Sequence, residues 1–118
     1  MDVRVYLPNN ATVGDIIKLH TSTADGQSLT NYLPALKQAD IDRGYYLLGS
    51  SELRIQGVSS GENTVSATLY QNVTRERVED PPGSRKYKYV FKDSETGTIL
   101  SEAELASKAV DQDSFVVY

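Results

Sequence analysis

The chain has no cysteine and no tryptophan, and a single histidine, His20. Without thiols there are no disulfides, no iron–sulfur cluster and no thiolate zinc site. One histidine excludes a His–His metal pair and leaves a nucleophilic triad only one possible base, for which neighbouring Thr21, Ser22 and Thr23 lie too close along the chain. Apolar runs are short, and none approaches the roughly 18 residues of a membrane span. The start, Met1-Asp2-Val3-Arg4-Val5, lacks the basic residues and apolar core of a signal peptide. The expectation is a soluble protein made in the cytoplasm, with no membrane partner and open to incorporation in a larger particle such as a virion.

Phosphate-binding and catalytic patterns are also missing. Gly57, Gly61, Gly83 and Gly97 fall at strand ends or turns, and none belongs to a GxGxxG or GxxxxGK run. Carboxylates come in pairs at Asp40/Asp42, Glu79/Asp80, Glu102/Glu104 and Asp111/Asp113. Two converging carboxylates can hydrolyse a glycosidic bond, but no spacing here makes them converge, and solvated charge is the plain reading. Asp111-Gln112-Asp113 lacks the glycine and distal glutamate of a calcium loop. No catalytic residue, cofactor site or metal site is expected, and so no enzyme.

What is there is alternation. Val65, Ala67 and Leu69 oppose Ser66, Thr68 and Tyr70, and Leu53 and Ile55 oppose Arg54 and Gln56. Tyr87, Tyr89 and Phe91 share a face opposite Lys86, Lys88 and Lys92. A period of two marks strands with one buried face. Strands are expected at Tyr45–Leu48, Glu52–Val58, Thr64–Val78 and Arg85–Lys92, separated by clusters of Gly, Ser, Asn, Asp and Pro. Val3–Leu7, Thr98–Leu100 and Phe115–Tyr118 read as further strands, and so does Ile16–Thr21, although Thr12–Leu19 can also be read as a short helix with Thr12 and Asp15 as its capping box. The predicted core includes Leu53, Ile55, Val65, Ala67, Leu69, Tyr87, Tyr89 and Phe91.

Two helices are expected. Ser28–Arg43 is the first candidate, beginning near Leu33 because Pro34 is tolerated only in a first turn, with Gly44 suited to a left-handed C-cap. The second, Glu102–Val110, opens on a capping box, Ser101-Glu102-Ala103-Glu104, and is broken by Asp111-Gln112-Asp113. With 118 residues the fold class is mainly β, a β-rich α+β domain over 1–118. Its expected form is an antiparallel meander making a small sandwich or barrel, with one or two short peripheral helices.

The net charge of −4 is unevenly spread. Residues 75–92 carry six basic and three acidic side chains, whereas 93–118 carry one and six. A net acidic chain lacks the basic surface by which nucleic-acid-binding proteins usually displace counterions, so nucleic acid is a disfavoured partner. The cluster Arg75, Arg77, Arg85, Lys86, Lys88 and Lys92, interleaved with Tyr87 and Tyr89, is the candidate partner-binding set. Its plainest reading is a solvated strand face. Contact with an acidic protein surface comes next, and single-stranded nucleic acid, stacked on the tyrosines, comes last because the rings are expected to point away from the lysines.

Missing catalytic equipment, strands near both ends and segregated charge together favour a structural protein. The expectation is a non-enzymatic subunit or cement of a larger complex, for instance in a virus particle as a capsid decoration, head–tail or tail component. Its partners would be itself, as a homo-oligomer, or other subunits of the assembly. The alternative is a binding module for a saccharide, peptide or single-stranded nucleic acid, using exposed tyrosines and the basic hairpin.

Overall fold

The computed structural model describes residues 3–49 and 57–118. In chain order these form β1 (Val3–Tyr6), β2 (Ile16–Ser22), β3 (Ser28–Tyr32), α1 (Gln38–Arg43), β4 (Tyr45–Leu48), β5 (Asn63–Tyr70), β6 (Val73–Glu79), β7 (Tyr87–Asp93), α2 (Glu102–Ser107) and β8 (Ala109–Val117). The expected strand Glu52–Val58, with Leu53 and Ile55, falls largely outside the described residues. Mainly β structure with short helices is what the chain adopts.

Every strand pairing is antiparallel, but few join sequence neighbours. A four-stranded sheet has the order β3-β2-β5-β8, while β1 pairs with β4 and β6 with β7. Among the described residues only β2–β3 and β6–β7 are hairpins, so the simple meander is replaced by longer connections. No sheet closes into a barrel among the described residues.

The β2–β5 pair carries the core because one of its faces is covered throughout and the other at one end. Ile17, Leu19 and Thr21 stand opposite Leu69, Ala67 and Val65, and all six are buried. Val5 of β1, Leu48 of β4, Leu33 and Leu36 close over this face, and Val117 of β8 completes it. At the start of β2 the next residue round, Ile16, is buried against Tyr70 and Val73 on the opposite face. Tyr32, Phe91, Leu100 and Leu105 pack against that second cluster, which is how β7 and α2 are held. Two adjacent isoleucines therefore anchor two different layers.

Asn63 is fully buried at the end of β5, where an unpaired amide would be costly. Its Nδ2 donates to the carbonyls of Val117 at 3.0 Å and Ser59 at 2.8 Å, and its Oδ1 accepts from the amide of Ala24 at 2.9 Å. One side chain thus ties two loops to the end of β8.

Four sequence expectations need correction. Thr64–Val78 is two strands, because Asn72 adopts a left-handed φ of 59°, which asparagine tolerates better than most residues. Ser94 donates to the Asn72 carbonyl at 2.8 Å and holds that turn. Ser28–Tyr32 is strand, since Ser28, Thr30 and Tyr32 pair with Ser22, His20 and Lys18, and α1 starts only at Gln38. Gly44 does cap it with φ 80°. The capping box of α2 forms as expected, the Glu104 amide donating to Ser101 Oγ at 3.2 Å and the Ser101 amide to Glu104 Oε1 at 3.1 Å. The helix stops at Ser107, however, and Asp111–Asp113 lie inside β8, opposite Leu69, Thr68 and Ala67.

The fourth correction concerns Tyr87 and Tyr89, which are 51% and 53% exposed instead of buried. Phe91 is half-buried. The Cα radius of gyration, 15.1 Å, exceeds the roughly 13.5 Å of a compact chain this long. The outer half of β6–β7 projects.

Truncation of a core side chain tests the register. Leu69→Ala should lower unfolding free energy by about 2–5 kcal/mol, as large-to-small changes do at buried sites, measured by urea denaturation. Tyr87→Ala should cost far less, since Tyr87 fills no core.

Candidate functional site

The β6–β7 hairpin starts in the second core and runs outward. Its register pairs Arg75 with Phe91, Arg77 with Tyr89 and Glu79 with Tyr87, so these six residues share one face. Arg75 and Arg77 are therefore on the tyrosine side, not with the lysines. The opposite face carries Thr74, Glu76 and Val78 against Lys92, Val90 and Lys88.

On the aromatic face the groups interleave. Tyr32 and Phe91 pack with ring centroids 4.7 Å apart at the core end. The Arg75 guanidinium lies over Tyr89 at 4.5 Å and donates to the Tyr32 carbonyl at 3.3 Å, and Arg77 lies over Tyr87 at 4.0 Å. From Phe91 to Tyr87 the ladder extends about 13 Å at strand rise. Burial pushes the Tyr32 hydroxyl above its ordinary pKa.

The lysine face is different in kind. Lys92 pairs with Glu76 at 2.5 Å and Lys88 with Asp80 at 3.0 Å, so both cations are answered within the hairpin. Such exposed pairs add little stability, but they reduce the charge offered to a partner. At the tip, the Asp80 amide donates to the Lys86 carbonyl at 2.8 Å, the Asp80–Pro81 peptide is cis, and the Glu79 carboxylate accepts from the Gly83 amide. Arg85, with φ 59°, and Lys86 are exposed there. Among the described residues, Arg75, Arg77, Arg85 and Lys86 form no ion pair.

The candidate partner-binding set thus divides three ways: Arg75 and Arg77 with the tyrosines, Lys88 and Lys92 neutralised behind them, Arg85 and Lys86 at the tip. Tyr32 was missed because Ser28–Tyr32 lies just ahead of a helix expected to begin near Leu33, and no strand was assigned to it. Its signal was the alternation of Ser28, Thr30 and Tyr32.

The remaining polar constellations do not assemble. His20 Nδ1 lies 2.9 Å from Thr30 Oγ1 on the outer face of the sheet. Buried Asp40 accepts from the Lys37 amide at 2.9 Å and pairs with Arg43, a helix-capping role. No group of three His, Asp or Glu with metal-holding geometry occurs among the described residues.

Asp93 fixes the base of the hairpin. It accepts from the Glu95 and Thr96 amides at 2.8 and 3.2 Å and pairs with Lys108, just past α2, at 2.9 Å. Chiefly the Lys108 hydrogen bond, then those amides, lower the Asp93 pKa, and the same bond raises that of Lys108.

Compared with protein families, with curated proteins and with solved structures, the chain matches none. Its function is argued from its own residues.

A lowered carboxyl pKa contributes stability in full above the unfolded value and loses it as pH falls through the folded value. The Asp93–Lys108 link should accordingly hold through the neutral range and fail in acid, below the usual carboxylate range. Amide exchange in α2 should rise there, and Asp93→Asn should show the same looseness already at pH 7. Acid-insensitive exchange in the wild type would remove Asp93 from this role.

Proposed function

We propose that this chain is a non-enzymatic assembly protein, a subunit or cement of a larger complex, and that the β6–β7 hairpin is its docking arm. The observation carrying this reading is the Arg75–Tyr89 and Arg77–Tyr87 ladder, exposed on a projecting two-stranded sheet. At its base β7 is bridged by Thr98–Leu100, through Lys92 opposite Ile99 and the Leu100 amide donating to the Phe91 carbonyl at 2.8 Å; beyond that base the ribbon is two-stranded among the described residues, and such a ribbon is marginal in water and gains most from a partner that covers it. Tyrosine and arginine are also the residues most often found carrying interface energy.

The matching chemistry is an acidic partner. Two guanidiniums without ion pairs, held by stacked rings, present donors in fixed orientation to carboxylates, and little side-chain freedom is left to lose on binding. The acidic stretch 93–118 supplies such carboxylates on another copy.

One observation also favours single-stranded nucleic acid, since arginines and tyrosines share the exposed face that stacking and phosphate contact require. It remains the second reading because Glu79 shares that face and the chain is net acidic.

Sedimentation of the wild type and of Arg75→Gln/Arg77→Gln separates the two. Assembly predicts larger species in the wild type that dissociate with salt, as screening shortens from about 10 Å at 0.1 M to about 3 Å at 1 M. The variant should stay folded and monomeric. Nucleic-acid binding predicts instead a monomer that takes up oligonucleotide with a steep salt slope, lost in the variant. A wild type that is monomeric at tens of micromolar, with no larger species in its native source, rejects the assembly reading.

A further inference from the structure

We infer that the outer edge of β6 in one copy pairs antiparallel with the outer edge of β8 in a second copy, joining the hairpin of one to the four-stranded sheet of the next. This rests on the reading of the chain as an assembly subunit and names the contact.

Among the described residues both edges are open. β8 ends the order β3-β2-β5-β8, β6 ends the order β6-β7, and neither has a further strand partner among the described residues. β8 is nine residues long and exposed at Ala109–Ser114, a length of edge that invites strand addition unless something covers it. A groove of about 390 Å³, lined among others by Gly14, Asp15, Ile16, Leu33, Thr74 and Arg75, lies beside the start of β6.

Charge selects the partner and the register. With Glu76 opposite Gln112, Arg77 meets Asp111 and Arg75 meets Asp113 on one face, while Val78 meets Val110 and Thr74 meets Ser114 on the other. No like charges oppose. A slip of one residue either way sets Glu76 against an aspartate, and a slip of two leaves only one attractive pair. Opposite charges directly across a strand pair stabilise it and like charges destabilise it.

Centred self-pairing of either edge is disfavoured on the same ground. Two antiparallel β8 strands centred on each other bring Asp113 against Asp113, and two β6 strands bring Glu76 against Glu76 and Arg75 against Arg77. Asp111 and Asp113 guard one edge, Arg75 and Arg77 the other, and only the mixed contact satisfies both. A parallel β6–β8 pairing also matches the charges but has the weaker, slanted ladder, and no sheet in this fold uses it. Because the contact joins two different surfaces, it propagates into a ring or an open chain.

The absence of native cysteine makes cross-linking a clean test. Thr74→Cys and Ser114→Cys chains, both altered at exposed positions, should on mixing and mild oxidation give the heterodimer in preference to either homodimer. Arg75→Asp/Arg77→Asp should lose assembly, and adding Asp111→Arg/Asp113→Arg to the same chain should restore it. Assembly that persists with no Thr74–Ser114 cross-link, or that instead links Thr74→Cys to Val110→Cys as a parallel pair would, overturns this contact and leaves the assembly reading standing. A wild type that never assembles overturns both. Should a charge variant fail to fold, the cysteine pair, which alters no buried residue, still decides the matter.

Discussion

The fold depends on burying one face of β2 and β5 throughout and the other at one end. Most antiparallel sheets cover one face and wet the other. Here the ribbon β1–β4 closes over Ile17, Leu19, Val65 and Leu69, while β7 and α2 close over Ile16, Tyr70 and Val73. The second cluster is small and lies at one end of the sheet. Consequently the hairpin is clamped only at its base, through Val73, Phe91 and Asp93, and its outer half leaves the body of the protein with its tyrosines uncovered. The small size of one core creates the arm.

Much of this was written locally in the sequence. The alternation Val65-Ala67-Leu69 gave the central strand because the face it buries is set by residues of that strand alone. Gly44 and the Ser101/Glu104 box ended and began helices where expected, since caps are satisfied within one turn. What was not legible depends on distant partners. Ser28–Tyr32 becomes strand by pairing with β2, and Asp111–Asp113, which read as a breaker, become strand by pairing with β5. Propensity is overridden where a long-range ladder satisfies the backbone.

The candidate site shows the same division. Alternation correctly put Tyr87, Tyr89 and Phe91 on one face, but in or out depends on what lies above that face, which the strand itself does not encode. Nor could one strand show that Arg75 and Arg77 would join the rings; that follows from the β6–β7 register, fixed by the turn around Pro81–Gly83. The division of the basic cluster is a consequence of register, and with it the balance between a solvated surface and a docking surface.

The central claim, that the open edges of β6 and β8 meet in an assembly, makes a direct statement about backbone amides. Those pointing outward on edge strands exchange with solvent in the isolated chain and become hydrogen-bonded in the joined sheet. Residue-resolved hydrogen exchange across a dilution series reads them individually. The account predicts alternate amides in Val73–Glu79 and in Ala109–Val117 that are protected at high concentration and exposed on dilution, in both strands together. Exchange independent of concentration in these two strands, or protection gained elsewhere while both edges stay open, would contradict it.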